Sequence, residues 1–455
     1  MAVVDVPPTP ARPAHPARPV RPARPARPDR RDRLARTPGP ARPDRRDVFV
    51  DAVRALATVA VLTVHWLMPE ATWDGERLGI GNALSHGGAW ALTWVLQVLP
   101  LLFFAAGASA AYQLVRPGGS RTPDGATRLQ GAPRPGVAGL AGAGWDVVRR
   151  RLPRIWRPVA AFVGAWVVGA LALVAVGVPE AAVRQVARIA PQLLWFLGVY
   201  LLLLAVTPAL LRAYRARAGA TVVVVVAAPL VVDVVRLVAG LEQVAVANVL
   251  LGWAVPYVLG IAYVDLVRRG ALPSRRTLAL TAAAALAAMV GLVVVGPYPP
   301  SLIGMPGDAI SNLGPPTALA VAHAVLQVSV VLAVRDVVVR WARGRGAPLV
   351  TWVAGRSMTL YLWHLTAMFV VLGVVLLGLG TALPVPWSAD WWASRPLWFG
   401  AAALVLGALV RVFGRLESPS VGALARVSSA GRAPSRAGGA ASRPAPARPG
   451  APAAR

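Results

Sequence analysis

Cysteine and lysine are both absent from this chain of 455 residues. Without cysteine there can be no disulfide framework, no thiolate metal site and no thiol nucleophile. Without lysine, all 47 basic residues are arginine, set against only 19 acidic ones, for a formal net charge of +28. Charge is nevertheless scarce overall, since 15% of residues are charged and 56% are hydrophobic. A soluble domain carries about 25% charged residues, so the composition predicts an all-α, polytopic membrane protein. Histidine is sparse too, with five residues. One of them, His15, lies in a proline-rich arm, and no metal site is expected. The chain has no P-loop, no paired-glycine nucleotide fingerprint, and neither an HExxH nor a GxSxG motif.

The arginines concentrate at the two ends and in alternate loops. Residues 1–46 are written in Pro, Ala and Arg ("ARPVRPARPARPDRR"), and residues 417–455 return to that vocabulary ("RAPSRAGGAASRPAPARPG"). Such segments cannot bury a core and are expected to be disordered arms beside an anionic leaflet, with membrane lipids rather than nucleic acid as their partner. Between them, residues 47–416 form the membrane domain. No small-residue cleavage site follows the first apolar run, which is therefore expected to remain as an uncleaved helix.

About 20 apolar residues are needed to cross a bilayer as helix. Ten such runs are found, near 48–68, 89–115, 154–178, 190–211, 220–239, 245–266, 277–297, 316–340, 348–379 and 395–415. Arginine asymmetry sets their direction. The loop after the first run carries Glu70, Asp74 and Glu76 against one arginine, whereas the next, "RPGGSRTPDGATRLQGAPRPGVAGLAGAGWDVVRRR", is laden with arginine. "RAYRARAG", "RRGALPSRR" and "RWARGRG" fall on the basic side, while "AGLEQ" and "PYPPSLIGMPGDAISNLGPP" carry no basic residue. Ten helices with both ends in the cytoplasm of a cell whose plasma membrane they span satisfy this alternation.

Three polar constellations stand inside the apolar runs. "RALATVAVLTVH" places Arg54 and His65 eleven residues apart, which brings them to within roughly 20° of one helix face and about 16 Å apart along its axis. Asp51, three residues before Arg54, is placed to neutralise it. Intramembrane charge marks function by default, although interfacial anchoring would also explain either residue alone. Next, "RRRLPRIWRPVAAF" repeats Arg151, Arg154 and Arg157 every three residues at what reads as a helix start, with Pro153 in the first turn. Helix dipole and guanidinium forks would together favour a phosphate there; a plain positive-inside anchor is the alternative. Finally, "SMTLYLWHL" aligns Ser357, Tyr361 and His364 on one face, as either a packing stripe or a catalytic one. Lesser features are His323 with Gln327, Asp233 with Arg236, an interfacial tryptophan belt in "PWSADWW", and "SNLGPPT" as a re-entrant turn lining the cleft.

Together, Arg–ten residues–His in the first run, RxxR entering the third, "LWFLGVYLL" in the fourth and "LYLWH" in the ninth resemble the acyltransferase-3 family of integral membrane proteins. The resemblance covers roughly residues 47–416. It implies transfer of an acyl group, commonly acetyl, from cytoplasmic acyl-coenzyme A to a hydroxyl of a carbohydrate, lipid-linked glycan or small molecule. It further implies His65 and Arg54 as the catalytic pair and Arg151 and Arg154 as the donor-site motif, with Arg157 extending it. On this reading His65 acts as general base and Ser357, Tyr361 or Arg54 faces the developing oxyanion. No extracytoplasmic hydrolase-like domain follows the tenth run, so the acceptor is expected to come to the membrane cleft or a separate protein to relay the acyl group. A secondary transporter, or a flippase of surface-polymer precursors, is the rival class; the repeated halves of many transporters are not found.

Overall fold

The computed structural model describes residues 47–114 and 137–417. The arginine-rich loop between them and the two Pro/Ala/Arg tails, save Glu417, lie outside the described residues. The helices are α1 (Val48–Leu67), α2 (Leu92–Leu96), α3 (Leu99–Leu114), α4 (Val137–Ala175), α5 (Glu180–Ile189), α6 (Leu194–Ala216), α7 (Ala218–Ala239) and α8 (Asn248–Arg269). They continue with α9 (Arg275–Val295), α10 (Ala318–Ala333), α11 (Arg335–Arg343), α12 (Ala347–Ala354), α13 (Ser357–Gly373) and α14 (Ala389–Phe413). Among the described residues nine helices are long and apolar enough to cross a membrane, or ten if the bent pair α10–α11 is one span. The chain is thus an all-α, multi-pass membrane protein.

α1 lies at the seam of two apolar cores. Its Phe49, Val50 and Val53 pack with α3, α6 and α8, while its Ala52, Ala55 and Trp66 pack with α12, α13 and α14. Asp47 caps its first turn, accepting from the Phe49 N–H at 2.9 Å, and its other carboxylate oxygen accepts from the hydroxyls of Tyr112 (2.7 Å) and Tyr263 (2.8 Å). One carboxylate thereby fastens α1 to α3 and α8. The α3–α8 crossing is itself very close, because Gly107 and Gly260 let each backbone approach the other. Small residues play this role where helices pack without a hydrophobic drive.

The loop after α1 is not irregular. It folds as an antiparallel hairpin of β1 (Pro69–Trp73) and β2 (Leu78–Asn82), with Pro69 opposite Asn82 and Trp73 opposite Leu78. The turn follows from "WDGE": Gly75 takes φ +99°, and Asp74 accepts from the backbone N–H groups of Glu76 (2.9 Å) and Arg77 (2.6 Å). Those bonds, Arg77's first, hold the Asp74 carboxyl below the usual carboxylate range. The long loop 296–317 is similarly tied down. Asp233 accepts from Tyr298 (2.7 Å) and from the Ala318 N–H (2.8 Å), and burial followed by this bond raises the Tyr298 hydroxyl above its ordinary range. Arg236 pairs instead with Glu242 at 2.8 Å.

Several boundaries differ from the sequence reading. The eighth run breaks: α10 ends at Ala333 and the chain bends by 60° into α11, which carries Arg335, Arg340 and Arg343. The ninth run splits at Gly355 and Arg356 into α12 and α13. The fourth span begins earlier, at Glu180, and so carries Arg184 and Arg188 on α5. Glu417, assigned to the C-terminal tail by composition, belongs to the bundle. Its carboxylate accepts from the N–H groups of Met358 (3.0 Å) and Thr359 (2.9 Å) at the start of α13.

α4 requires the largest correction. It begins at Val137, so Pro153 and Pro158 lie inside the helix rather than in a first turn. Arg151, Arg154 and Arg157 are therefore not at a helix N-terminus, and no free backbone N–H row or dipole end assists them. The Gly/Ala-rich stretch before them, read from composition as loop, continues as helix.

Candidate active site

The last turn of α1 carries His65. Its Nδ1 lies 2.8 Å from the carbonyl of Val61 and 3.3 Å from Nε2 of His364 on α13. A carbonyl can only accept, so Nδ1 of His65 bears the proton. His364 is fixed in the same way, its Nδ1 being 2.7 Å from the carbonyl of Tyr361. In its neutral form His364 then presents a lone pair on Nε2 to the proton of His65. Trp66 holds the two helices in this register, donating to the carbonyl of His364 at 3.0 Å, while Trp398 of α14 donates to the carbonyl of Trp66 at 2.8 Å. His364 is fully buried and His65 partly so.

His65 borders a cavity of about 150 Å³ at the hairpin end of α1. Asn82, Thr93 and Gln97 add polar groups to its wall, and Val64, Met68, Ile303 and Gly304 complete it. Thr93 is occupied, donating to the carbonyl of Trp90 (2.6 Å) and accepting from the Leu302 N–H (3.1 Å). Asn82 is partly occupied, accepting from the Leu84 N–H at 3.0 Å. The carboxamide of Gln97 makes no hydrogen bond to any described residue, and neither does Nε2 of His65. No ionised side chain lines the cavity. Two groups are thus open to a ligand, one of them an imidazole nitrogen with a lone pair.

The sequence reading missed Asn82, Thr93 and Gln97. Only Gln97 left a signal, as the single polar residue within "WVLQVLPLLFF". The loop expected to line the cleft does reach it, but through Ile303 and Gly304 rather than "SNLGPPT". Of the tryptophans read as an interfacial belt, Trp391 is buried, and Trp387, packed against it, donates to the carbonyl of Ala83 just after the hairpin at 2.6 Å.

Arg54 stands three turns below His65 on α1. It pairs with Asp51 at 3.3 Å and donates to the hydroxyl of Ser109 on α3. Nearby, Arg335 donates to Tyr263 at 3.2 Å and lies 5.6 Å from the Phe49 ring. Arg54 thus lies in the half of α1 away from the cavity, where Asp47, Tyr112, Tyr263 and Arg335 form a separate hydrogen-bonded group that the sequence did not point to.

Of the stripe on α13, the structure brings only His364 to His65. Tyr361 donates to the carbonyl of Leu193 at 2.8 Å and packs on Phe196, which commits its one proton to the turn leading into α6. Ser357 sits at the first residue of α13, about 10 Å from His364 along the axis. On α4, Arg154 and Arg157 are exposed and Arg151 is half-buried, close enough to Tyr257 to act on it electrostatically. No acidic residue among those described pairs with any of the three. His323 packs inside, 2.9 Å from the carbonyl of Trp94. Among the described residues no group of His, Asp and Glu is placed to hold a metal ion.

Compared with known proteins, residues 47–413 match the model of one family, acyltransferase-3, described as an acyltransferase domain. No curated protein and no solved structure matches the chain.

Proposed function

Since the chain belongs to the acyltransferase-3 family and is a membrane acyltransferase, we propose that it moves an acyl group, acetyl in the first instance, from acyl-coenzyme A to a hydroxyl of an acceptor held in the cavity beside His65. The observation that carries this reading is the state of His65. Its Nδ1–H is held by Val61 and His364, which leaves Nε2, on a side chain bordering a polar-walled cavity, without a partner among the described residues and able to act as a base.

In this reading the donor's phosphates bind Arg151, Arg154 and Arg157, whose guanidinium forks have no acidic partner among the described residues to displace. Its thin pantetheine arm passes Arg54 toward His65. His65 Nε2 takes the proton of the acceptor hydroxyl as the oxygen attacks the thioester carbon. The oxygen–acyl bond forms, the carbon–sulfur bond breaks, and the proton passes from His65 to the leaving thiolate. Arg54 is held toward Asp51 and Ser109 and serves the donor's path rather than the attacking atom.

The alternation of arginine among the loops supports a donor taken from the cytoplasm across a plasma membrane, with both chain ends inside and the cavity toward the outer half. The acceptor is then a carbohydrate, a lipid-linked glycan or a small molecule arriving from that side, or a relay protein that carries the acyl group onward. The cavity's modest volume, below the roughly 300–1,000 Å³ of drug-sized sites, suits one terminal unit of such an acceptor.

The test is release of free coenzyme thiol by purified protein in detergent, given acetyl-coenzyme A and a panel of sugars and polyols. A cysteine-free chain adds no background thiol. His65→Ala is expected to lower turnover by about 10²-fold or more, the usual worth of a positioned base. Unchanged turnover in that variant would remove His65 from the reaction.

A further inference from the structure

His364 makes contacts that packing alone does not require. It is fully buried, lies 299 positions from His65 in the chain, and turns its Nε2 to within 3.3 Å of His65 Nδ1. Both imidazoles have Nδ1 against a helix carbonyl, at 2.8 Å for His65 and 2.7 Å for His364. Each therefore carries its proton on Nδ1, and the two rings meet donor to acceptor rather than lone pair to lone pair. Were His65 in the other tautomer, its Nδ1 lone pair would face both the Val61 carbonyl and the lone pair of His364. Three acceptors would then converge on a site without a proton, at a cost no buried site tolerates cheaply.

From this geometry, and resting on the reading of His65 as the base, we infer that His364 is the positioning residue of the reaction. It holds His65 in the tautomer whose Nε2 is free for the acceptor hydroxyl. It also steadies the charge that follows. When Nε2 takes the proton, His65 becomes an imidazolium whose Nδ1–H is a stronger donor, and the His364 lone pair with the Val61 carbonyl receives it. No proton passes to His364, whose Nδ1–H stays on the Tyr361 carbonyl. The proton leaves His65 by Nε2, to the departing sulfur. The neighbouring Trp66 and Trp398 bonds lock the register of α1 against α13 and α14 on which this contact depends.

The role predicts which substitutes work. A glutamine at 364 can offer its carboxamide oxygen to His65, whereas a leucine of similar bulk cannot. His364→Leu is expected to lower kcat at least tenfold with the acceptor KM unchanged, because the residue touches no substrate. His364→Gln is expected to recover much of that loss. Added to His65→Ala, His364→Leu should cost nothing further, since a positioning group has nothing left to position. Should His364→Leu fail to fold, His364→Asn takes its place, its shorter arm withdrawing the oxygen while keeping a polar group. Wild-type turnover in His364→Leu, or equal losses in the Gln and Leu (or Asn) variants, would overturn the positioning role while leaving His65 as the base. Turnover that survives His65→Ala would overturn the underlying reading, and this inference with it.

Discussion

The carboxylate of Glu417 accepts hydrogen bonds from both the backbone N–H and the hydroxyl of Thr359, at 2.9 and 2.7 Å. It also takes the N–H of Met358 at 3.0 Å. A residue following α14 thereby caps the first turn of α13, satisfying donors that a helix start leaves without partners, and its negative charge suits the positive end of the dipole.

A chain ending at Leu416 is expected to melt at lower temperature than one ending at Glu417, although the two differ by one residue. Loss of a cap costs about 0.5–2 kcal/mol. Glu417→Ala in the full chain should reproduce most of the loss, read by thermal unfolding in detergent. Equal midpoints for the two truncations would assign the capping no energetic weight.

The α3–α8 crossing gives a second expectation. A Cβ on Gly107 would stand 2.0 Å from the carbonyl oxygen of Tyr257, and one on Gly260 would stand 2.1 Å from that of Phe104. The obstructing atoms are backbone, so neither helix can yield by turning a side chain. Gly107→Val should force the helices apart at a cost of about 1–3 kcal/mol or more. The measurable result is reduced yield of monodisperse protein, whereas Gly164→Val on α4, where nothing lies within 4 Å, should be tolerated.

These elements show what the sequence made legible. Spans such as Val48–Leu67 and Ala218–Ala239 follow from a length of apolar chain set by the bilayer, so they read directly. The break after Ala333 and the early start of α4 did not, because both depend on where a helix begins or ends. Gly and Ala before Arg151 suit loop or helix equally by composition. The spacing of Arg54 and His65 placed both on one face of α1, but it could not reveal that His65 meets α13 while Arg54 meets α3. That division comes from long-range packing around the seam. The cavity wall was illegible for the same reason, since Asn82, Thr93 and Gly304 are joined only by the hairpin and the long loop closing over α1.

Replacing Arg151 and Arg154 by glutamine is expected to raise the KM for acyl-coenzyme A by roughly tenfold or more, each charge-assisted bond to phosphate being worth about 1.5–3 kcal/mol. The KM for the acceptor should stay where it was. Both side chains are without acidic partners among the described residues, so the substitution leaves no carboxylate stranded, and the fold should survive it. A change confined to the acceptor KM would show that this arginine row is not where the donor binds.

The last expectation concerns direction across the membrane. The hairpin turn at Glu76 and the turn at Arg345 are both exposed. They lie in loops of opposite arginine content, which puts them on opposite faces by the positive-inside rule. The chain has no cysteine of its own, so a single introduced thiol is the only one to react. In intact cells a membrane-impermeant maleimide should label Glu76→Cys and spare Arg345→Cys, and permeabilisation should expose the second. Arg184 and Arg188 on α5 lie on the face that is otherwise poor in arginine, which makes the measurement more than a formality. Labelling of Arg345→Cys in intact cells, with Glu76→Cys protected, would reverse the orientation. The His65 cavity would then open toward the cytoplasm, and a donor bound at the arginine row from that side could no longer be the path of the acyl group.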